Sequence, residues 1–85
     1  MSHAHPSHPK IINRLKRTAG HLQKAIAMIE EGRGCAELAQ QLHAIEHAIT
    51  AAKTALIYDH IDHCLEHSLK SRTALAEFKQ LTKYL

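Results

Sequence analysis

The chain has 85 residues, a formal net charge of +3 with histidine neutral, two cysteines and nine histidines. That length allows one domain, and a domain this small buries too little surface to be comfortably stable alone, so something has to supplement its core. Aromatic residues make up only 4% of the sequence, and a long stretch rich in Ala, Leu, Ile, Glu, Lys and Gln predicts an all-α fold without strands.

The sequence carries no recognisable targeting or membrane-spanning segment. Its N-terminal residues lack the apolar core of a signal peptide, and no apolar run approaches membrane-spanning length. We therefore expect a cytoplasmic protein without a membrane partner. In that compartment Cys35 and Cys64 are expected to be reduced thiols, although a disulfide between them is possible in principle.

Residues 1–9 contain three histidines and both prolines, and are predicted to form a flexible arm ahead of a single helical domain over residues 10–85. From about Lys10 to Glu31, apolar residues recur at alternating steps of four and three, which predicts an amphipathic first helix. Gly32 and Gly34 are expected to end it. Its apolar seam consists of Leu15, Ala19, Leu22, Ile26 and Ile29.

A second helix is predicted from near Cys35 to about Ser68, because the same rhythm of apolar residues continues there without a breaker. This heptad seam is suited to knobs-into-holes packing. It consists of Leu38, Leu42, Ile45, Ile49, Ala52 and Leu56. A short third helix is predicted from the apolar residues Leu75, Phe78, Leu81 and Leu85.

The length of the second helix predicts the quaternary structure. A helix of roughly 33 residues is about 50 Å long, whereas a compact globule of this size has a diameter of about 30 Å. The helix therefore extends beyond its own subunit. We expect its heptad seam to be buried against a second copy, forming an antiparallel four-helix bundle from two helical hairpins.

The cysteines and one histidine form a candidate soft-metal site. His60 and Cys64 lie four residues apart, one helical turn, which is close enough to chelate one ion. Cys35 precedes Cys64 by 29 residues, about 44 Å along a helix, so it cannot share that ion within one helix. In an antiparallel dimer the two ends can meet. Taken singly, each of these residues is more often a small buried thiol or a solvated imidazole.

Further histidine pairs four residues apart occur at His43 and His47 and at His63 and His67. Either pair could chelate a metal, but we interpret both as surface or interface histidines. His5, His8 and His63 could help to capture a metal or contribute around the site.

Basic residues are concentrated in the first helix, and no acidic residue precedes Glu30. Five side chains at alternating steps of four and three form a basic stripe, separate from the apolar seam. An ordinary solvated face is one interpretation, but the absence of neighbouring acids favours binding to the phosphate backbone of nucleic acid. We recognise no helix that reads bases, so specificity for DNA would rest partly on shape and deformability. The basic stripe consists of Lys10, Arg14, Arg17, His21 and Lys24.

Several segments together resemble the CsoR/RcnR family of bacterial transcriptional repressors, which sense copper, nickel or cobalt, formaldehyde, or persulfides. They are the run from Ile12 to Leu22, the isolated Cys35, the segment Gln40–Leu42 and the His60/Cys64 pair. The resemblance covers nearly the whole chain. It implies a three-helix protomer that forms a dimer of dimers, and an apo-tetramer that binds operator DNA and loses affinity for it when metal binds.

The resemblance also implies roles for individual residues. Cys35 of one subunit would join His60 and Cys64 of its partner, and His3 matches a fourth ligand of nickel-sensing members. Arg14 and Arg17 match DNA-contacting positions, with Lys16 a weaker candidate. The chain departs from the family pattern at two places. Glu46–His47 stands where many members have an Arg-Gly pair whose arginine contacts DNA, and Lys53 could replace that arginine by position only. Ser2 stands where the formaldehyde-sensing members have proline.

Ligand number and softness favour Ni(II) or Co(II) as the effector. Two thiolates and one imidazole suit Cu(I), so Cu(I) is the alternative effector. Adding His3 gives a four-coordinate ligand set that suits Ni(II) or Co(II). Copper sensors usually have a tyrosine and a glutamate around the site, where this chain has Gly34 and Gln80. We expect a repressor of a metal-efflux gene.

A cytoplasmic metal buffer or chaperone is the alternative from a different functional class, because the arm is rich in histidine. We do not expect an enzyme. The chain has no phosphate-cradling glycine loop, no serine nucleophile motif and no carboxylate pair in a recognisable four-helix metal motif.

Overall fold

A computed structural model describes the backbone of residues 7–67 and 72–85, and the side chains of residues 7–62 and 75–85. It contains three helices: α1 over His8–Glu30, α2 over Cys35–His67 and α3 over Arg72–Thr82. None of the described residues lies in a strand. The predicted all-α fold with three helices is therefore confirmed.

Helix α1 begins at His8, two residues before the predicted start at Lys10. Proline lacks only an amide hydrogen that the first turn of a helix leaves unpaired, so Pro9 is accommodated there. The amide of Ile11 donates to the carbonyl of Ser7 at 3.1 Å and closes this first turn. Residues 1–6 of the predicted arm, including His3 and His5, lie outside the described residues.

The turn between α1 and α2 is built around Gly32, whose φ of 77° lies in the left-handed region. Glycine adopts this conformation without the steric cost that a Cβ atom imposes. The amide of Arg33 donates a hydrogen bond to the carbonyl of Met28, five residues earlier, at 3.1 Å. A bond of this span is typical of helices that end at a glycine. This turn reverses the chain and lets α2 run back along α1.

The contact between α1 and α2 uses a different α1 face from the predicted seam. The predicted residues Leu15, Leu22, Ile26 and Ile29 are between 41% and 54% exposed, and Ala19 is exposed as well. Thr18 and Ala25 take part in the contact instead, because small side chains let the two backbones approach. The buried α1 residues are Ile11, Thr18, Ala25 and Met28.

The heptad seam of α2 divides between two environments. Ile45 and Ala52 are buried, at 4% and 2% exposure, whereas Leu42, Ile49 and Leu56 are between 42% and 47% exposed. Successive residues are rotated by 100° around the helix axis, so the three exposed residues lie about 20–60° around the helix from Ile45, all on the same side. In an antiparallel hairpin this is the same side on which α1 exposes its own apolar residues. Together they form the apolar face: Leu15, Leu22, Ile26, Leu42, Ile49 and Leu56.

The molecule is elongated, with extents of 55 × 23 × 16 Å and a radius of gyration of 17.1 Å. Helix α2 has 33 residues and α1 has 23, so α2 extends beyond α1 by about 15 Å. The predicted length of α2 is thus confirmed, and the helix extends past α1 within the subunit. His60 lies on this extension, and α3 packs against α2 alone among its described contacts.

Candidate metal centre and nucleic-acid face

Cys35 is the first residue of α2 and carries a free, exposed thiol. Its position follows from the turn, because Gly32 and Gly34 end one helix and allow the next to start directly. The thiol is therefore held at the tip of the hairpin and is open to a second chain. A thiolate there is a soft ligand of the kind that Ni(II), Co(II) and Cu(I) accept.

His60 is paired with a carboxylate from another helix. Its Nε2 atom lies 2.5 Å from Oε1 of Glu77 on α3, with the two side chains 34% and 50% exposed. A carboxylate this close to Nε2 limits the orientations that the imidazole ring can adopt. The contact therefore orients the imidazole and links the candidate metal site to α3.

One subunit does not bring the candidate ligands together. Cys35 and His60 are 25 residues apart on α2, a separation of about 38 Å. Over the described part of the chain, no group of three or more His, Cys, Asp or Glu side chains is arranged to hold a metal ion. The backbone of Cys64 is helical, whereas its side chain and His3 lie outside what the structure describes.

Cys35 is in line with the apolar face. It precedes Leu42, Ile49 and Leu56 by steps of seven residues, and these side chains are exposed along one side of α2. His60 follows Leu56 by four residues and so continues this side by one turn. The two described candidate ligands thus border the apolar face at its two ends.

The basic stripe lies on the opposite side of the hairpin. Relative to Thr18, Leu22 lies about 40° to one side of α1, whereas Arg17 lies about 100° and Lys24 about 120° to the other. Lys10, Arg14, Arg17 and Lys24 are exposed. His21 is half-buried, and its Nε2 atom donates to Oε1 of Gln41 at 2.5 Å, which joins the stripe to α2.

Two other candidate DNA-binding lysines do not lie on this side. Lys16 is exposed on the outer side of α1, about 160° from Thr18, and Lys53 is exposed on α2 beside the apolar face. Lys53, the positional substitute for the arginine that many family members have on the second helix, is thus separated from the basic stripe. The structure brings Arg14, Arg17 and Lys24 together on one surface and leaves Lys16 and Lys53 on others.

Arg33 is basic but belongs to a local ion-pair cluster. Its guanidinium donates to both carboxylate oxygens of Glu37, at 3.1 and 2.6 Å, and lies 3.6 Å from Glu31. Hydrogen bonding to Glu37 raises the pKa of Arg33 above its usual range. The charge of Arg33 is largely balanced by these neighbours, so it adds little to the positive potential of the stripe.

Glu77 is the site residue that sequence reasoning did not find. The family pattern draws attention to Gln80, whereas the carboxylate that meets His60 comes from three residues earlier. No local signal marks Glu77, because its proximity to His60 depends on how α3 packs on the extension of α2.

Comparisons with known proteins agree with this fold. The family described as metal-sensitive transcriptional repressor matches residues 7–84. The copper-sensing transcriptional repressor CsoR of Bacillus subtilis (strain 168) is 33% identical over 81 residues, which cover 87% of this chain and 80% of that protein. CsoR of Mycobacterium ulcerans (strain Agy99) is 26% identical over 76 residues, covering 86% of this chain and 65% of that protein.

A solved structure of the nickel-responsive transcriptional regulator InrS matches with a TM-score of 0.82 and 28% identity, over the full length of both chains. The chain belongs to the CsoR/RcnR family of metal-sensing transcriptional repressors. Members of this family are repressors and not enzymes. Of the helices in the described residues, none is both long and apolar enough to cross a membrane.

Proposed function

We propose that this protein is a cytoplasmic repressor that binds operator DNA as an apo-tetramer and releases it on binding Ni(II) or Co(II), derepressing a metal-efflux gene. The proposal is supported mainly by a row of exposed side chains on one side of α2, spaced seven residues apart. The row begins with the thiol of Cys35 and continues with the apolar residues Leu42, Ile49 and Leu56. Exposed apolar residues in such a row favour burial against a second copy.

An antiparallel pairing about Ile49 brings the two ends of the row together. Cys35 lies 14 residues before Ile49 and position 63 lies 14 residues after it, about 21 Å in either direction. Cys35 of one subunit therefore faces the segment 60–64 of the other. That segment contains His60 and Cys64, so each pair of subunits would hold two equivalent sites.

The preference for Ni(II) or Co(II) rests on the fourth ligand. Cys35, Cys64 and His60 supply two thiolates and one imidazole, and His3 of the arm would complete a four-coordinate set. The match to InrS, which is named nickel-responsive, supports this choice. Glu77 would support the site by holding the His60 ring in one orientation.

DNA binding is proposed for the basic stripe, with Lys10, Arg14, Arg17 and Lys24 as the main contacts and Lys16 as a peripheral one. Because the basic stripe and the apolar face lie on opposite sides of the hairpin, subunits could pair through the apolar face while the basic stripe stays accessible to DNA phosphates. Symmetry would repeat the stripe on each subunit. A homotetramer would thus present several stripes to one operator.

Metal would act by changing how the two hairpins are held relative to each other. An ion bound between Cys35 of one subunit and His60 of the other fixes their separation, and the stripes move with the helices that carry them. By thermodynamic linkage, DNA must weaken metal binding by the same factor by which metal weakens DNA binding.

A Cu(I)-sensing repressor is the second candidate. It is favoured by the two relatives named copper-sensing, and by the fact that Cys35, His60 and Cys64 alone form a trigonal set suited to Cu(I). A metal buffer is a third possibility from a different class. It would gain support if charge reversal at Arg14 and Arg17 left the cellular function intact.

The test is an anaerobic titration of reduced protein with Ni(II), Co(II) and Cu(I). Thiolate-to-metal absorption would follow binding, and release of a fluorescent duplex from the upstream promoter would follow the switch. We expect release at about one Ni(II) or Co(II) per subunit, weakened in His3→Ala but not in the control His5→Ala. Release by Cu(I) alone, with His3 irrelevant, would support the copper sensor. Release by none of the three would overturn the proposal of a metal effector.

A further inference from the structure

The outer surface of α2 carries a pair of histidines that the sensor site does not use. His43 and His47 lie one turn apart, their ring centroids are separated by 4.7 Å, and the rings are tilted by 55°. The His43 side chain is 70% exposed, and His47 is exposed as well. Two accessible imidazoles are therefore already close together on one rigid helix.

The separation of the rings fits coordination to one ion. A metal–nitrogen bond of about 2.1 Å places the ring centroid about 3.2 Å from the metal. Two such rings at about 90–110° around the ion have centroids about 4.5–5.2 Å apart. The observed 4.7 Å falls within this range, so chelation requires rotation of the rings and no movement of the helix.

Glu46 lies beside the same pair. Its Oε1 atom is 4.0 Å from Nδ1 of His43, and the carboxylate is 78% exposed. This distance is too long for a hydrogen bond, so the carboxylate contributes only its negative charge to the surroundings of the pair. The carboxylate lowers the electrostatic cost of placing a cation at the pair.

We propose that His43 and His47 form a second, solvent-exposed chelate site for a borderline divalent cation such as Zn(II), Ni(II) or Cu(II). Imidazole nitrogen suits these ions better than Mg(II) or Ca(II). This inference does not depend on the proposed function. Relative to Ile45, His43 and His47 lie about 160–200° away, on the side of α2 opposite α1. The pair thus stays accessible when two hairpins pack through the apolar face.

A two-imidazole chelate open to solvent binds more weakly than a site with three or four ligands. It would therefore fill after the thiolate site, as a second equivalent per subunit. Its coordination bonds would link two turns of α2 without crossing a subunit boundary.

The experiment uses Zn(II) as a diamagnetic probe and follows the ring nitrogens of each histidine by NMR in the reduced, full-length protein. We expect the His43 and His47 signals to shift in the same titration step, after the first equivalent. His47→Gln should weaken the response of His43 about tenfold or more, because a chelate loses its second arm. In His60→Gln, which weakens the sensor site, the His43 and His47 signals should still shift together, and no later in the titration than in the wild type.

Equal response of His43 in wild type and His47→Gln would overturn the proposal, since it indicates independent imidazoles. The same conclusion follows if neither ring responds while other histidines do, which indicates adventitious binding elsewhere in this histidine-rich chain. Both side chains are exposed, so the substitution is not expected to unfold the helix, and circular dichroism verifies this.

Discussion

The Nε2 atom of His60 on α2 lies 2.5 Å from the Oε1 atom of Glu77 on α3. Through this contact, a candidate metal ligand is coupled to α3, which among the described residues packs against α2 and not against α1. Since both side chains are partly exposed, the pair contributes little to stability, about 0–1 kcal/mol at most. Its main effect is on the orientation of the imidazole.

Glu77→Ala is expected to weaken binding of Ni(II) or Co(II) about 10–100-fold, because the ring of His60 loses the carboxylate that holds it. Competition against a chromophoric chelator measures this affinity. Glu77→Gln keeps an acceptor oxygen and should recover part of the loss. Glu30→Ala, which removes an exposed carboxylate at the end of α1, is the matched control. Unchanged affinity in Glu77→Ala would show that His60 needs no support from α3.

Two isoleucines one turn apart on α2 should respond differently to truncation. Ile45 is 4% exposed and Ile49 is 47% exposed. Ile45→Ala is expected to destabilise the fold by about 2–5 kcal/mol, because it leaves a cavity in the hairpin. Ile49→Ala should cost less, and its effect should depend on protein concentration, because its burial requires a second copy. Urea unfolding at two protein concentrations distinguishes the two cases.

Charge placed at the centre of the apolar face should prevent assembly. Ile49→Glu is expected to shift the protein towards a folded or partly folded monomer, since pairing would bury two unpaired carboxylates close together. Sedimentation analysis measures the mass in solution. Thr50→Glu introduces the same charge on the neighbouring exposed residue and should leave the mass unchanged. If both variants keep the wild-type mass, subunits do not associate through this face.

The three helices and the overhang of α2 could be predicted because apolar spacing, helix-favouring composition and the two glycines all act locally. The choice of buried face on α1 could not. Leu22 and Ala25 are both apolar and fit the same helical periodicity, but close approach of two backbones favours the smaller side chain, and this depends on the facing helix. The sequence predicted an α1 seam that includes Leu15, Leu22 and Ile26, whereas within one subunit these residues belong to the exposed apolar face.

The candidate site was predictable to a similar degree. The sequence identified Cys35 and His60 as candidate ligands, because thiolate and imidazole are the ligand types that Cu(I), Ni(II) and Co(II) accept. It could not identify Glu77, since nothing in the spacing within α3 determines how that helix packs on α2. It also could not separate Lys53 from the basic stripe, because the side of α2 on which Lys53 lies is fixed only by the contact with α1.

Removal of cations from the basic stripe should weaken DNA binding uniformly across sequences. For Arg14→Ala combined with Arg17→Ala, the slope of log affinity against log salt is expected to fall by about 2, one for each phosphate that is no longer neutralised. Fluorescence anisotropy with operator and random duplexes at several salt concentrations measures it. Arg33→Ala is the control, because Glu37 and Glu31 already balance its charge. An equal change in the control would indicate that only net charge matters.

Two glycine-to-alanine substitutions should have opposite signs. Gly20 lies inside α1 with open space around an added Cβ atom, so Gly20→Ala is expected to stabilise the protein by about 0.5–1 kcal/mol. Gly32 also has open space, but its φ is 77°. Gly32→Ala is therefore expected to destabilise by about 1–2 kcal/mol, from backbone conformation alone. Thermal unfolding of both variants provides the comparison, and a stabilising Gly32→Ala would contradict the left-handed turn.

Cys35 and His60 lie at opposite ends of one continuous helix, about 38 Å apart. In the proposed pair of subunits, the length of α2 would therefore set the distance between the two metal ions bound at the two ends of the interface. Seven residues inserted near Ile49 would lengthen α2 by about 10.5 Å and would keep every side chain on its own face of the helix. Both ions would then still be bound, but the basic stripes would meet the operator at a different spacing. In the proposed assembly, the length of a single helix would therefore set the register of the DNA contacts.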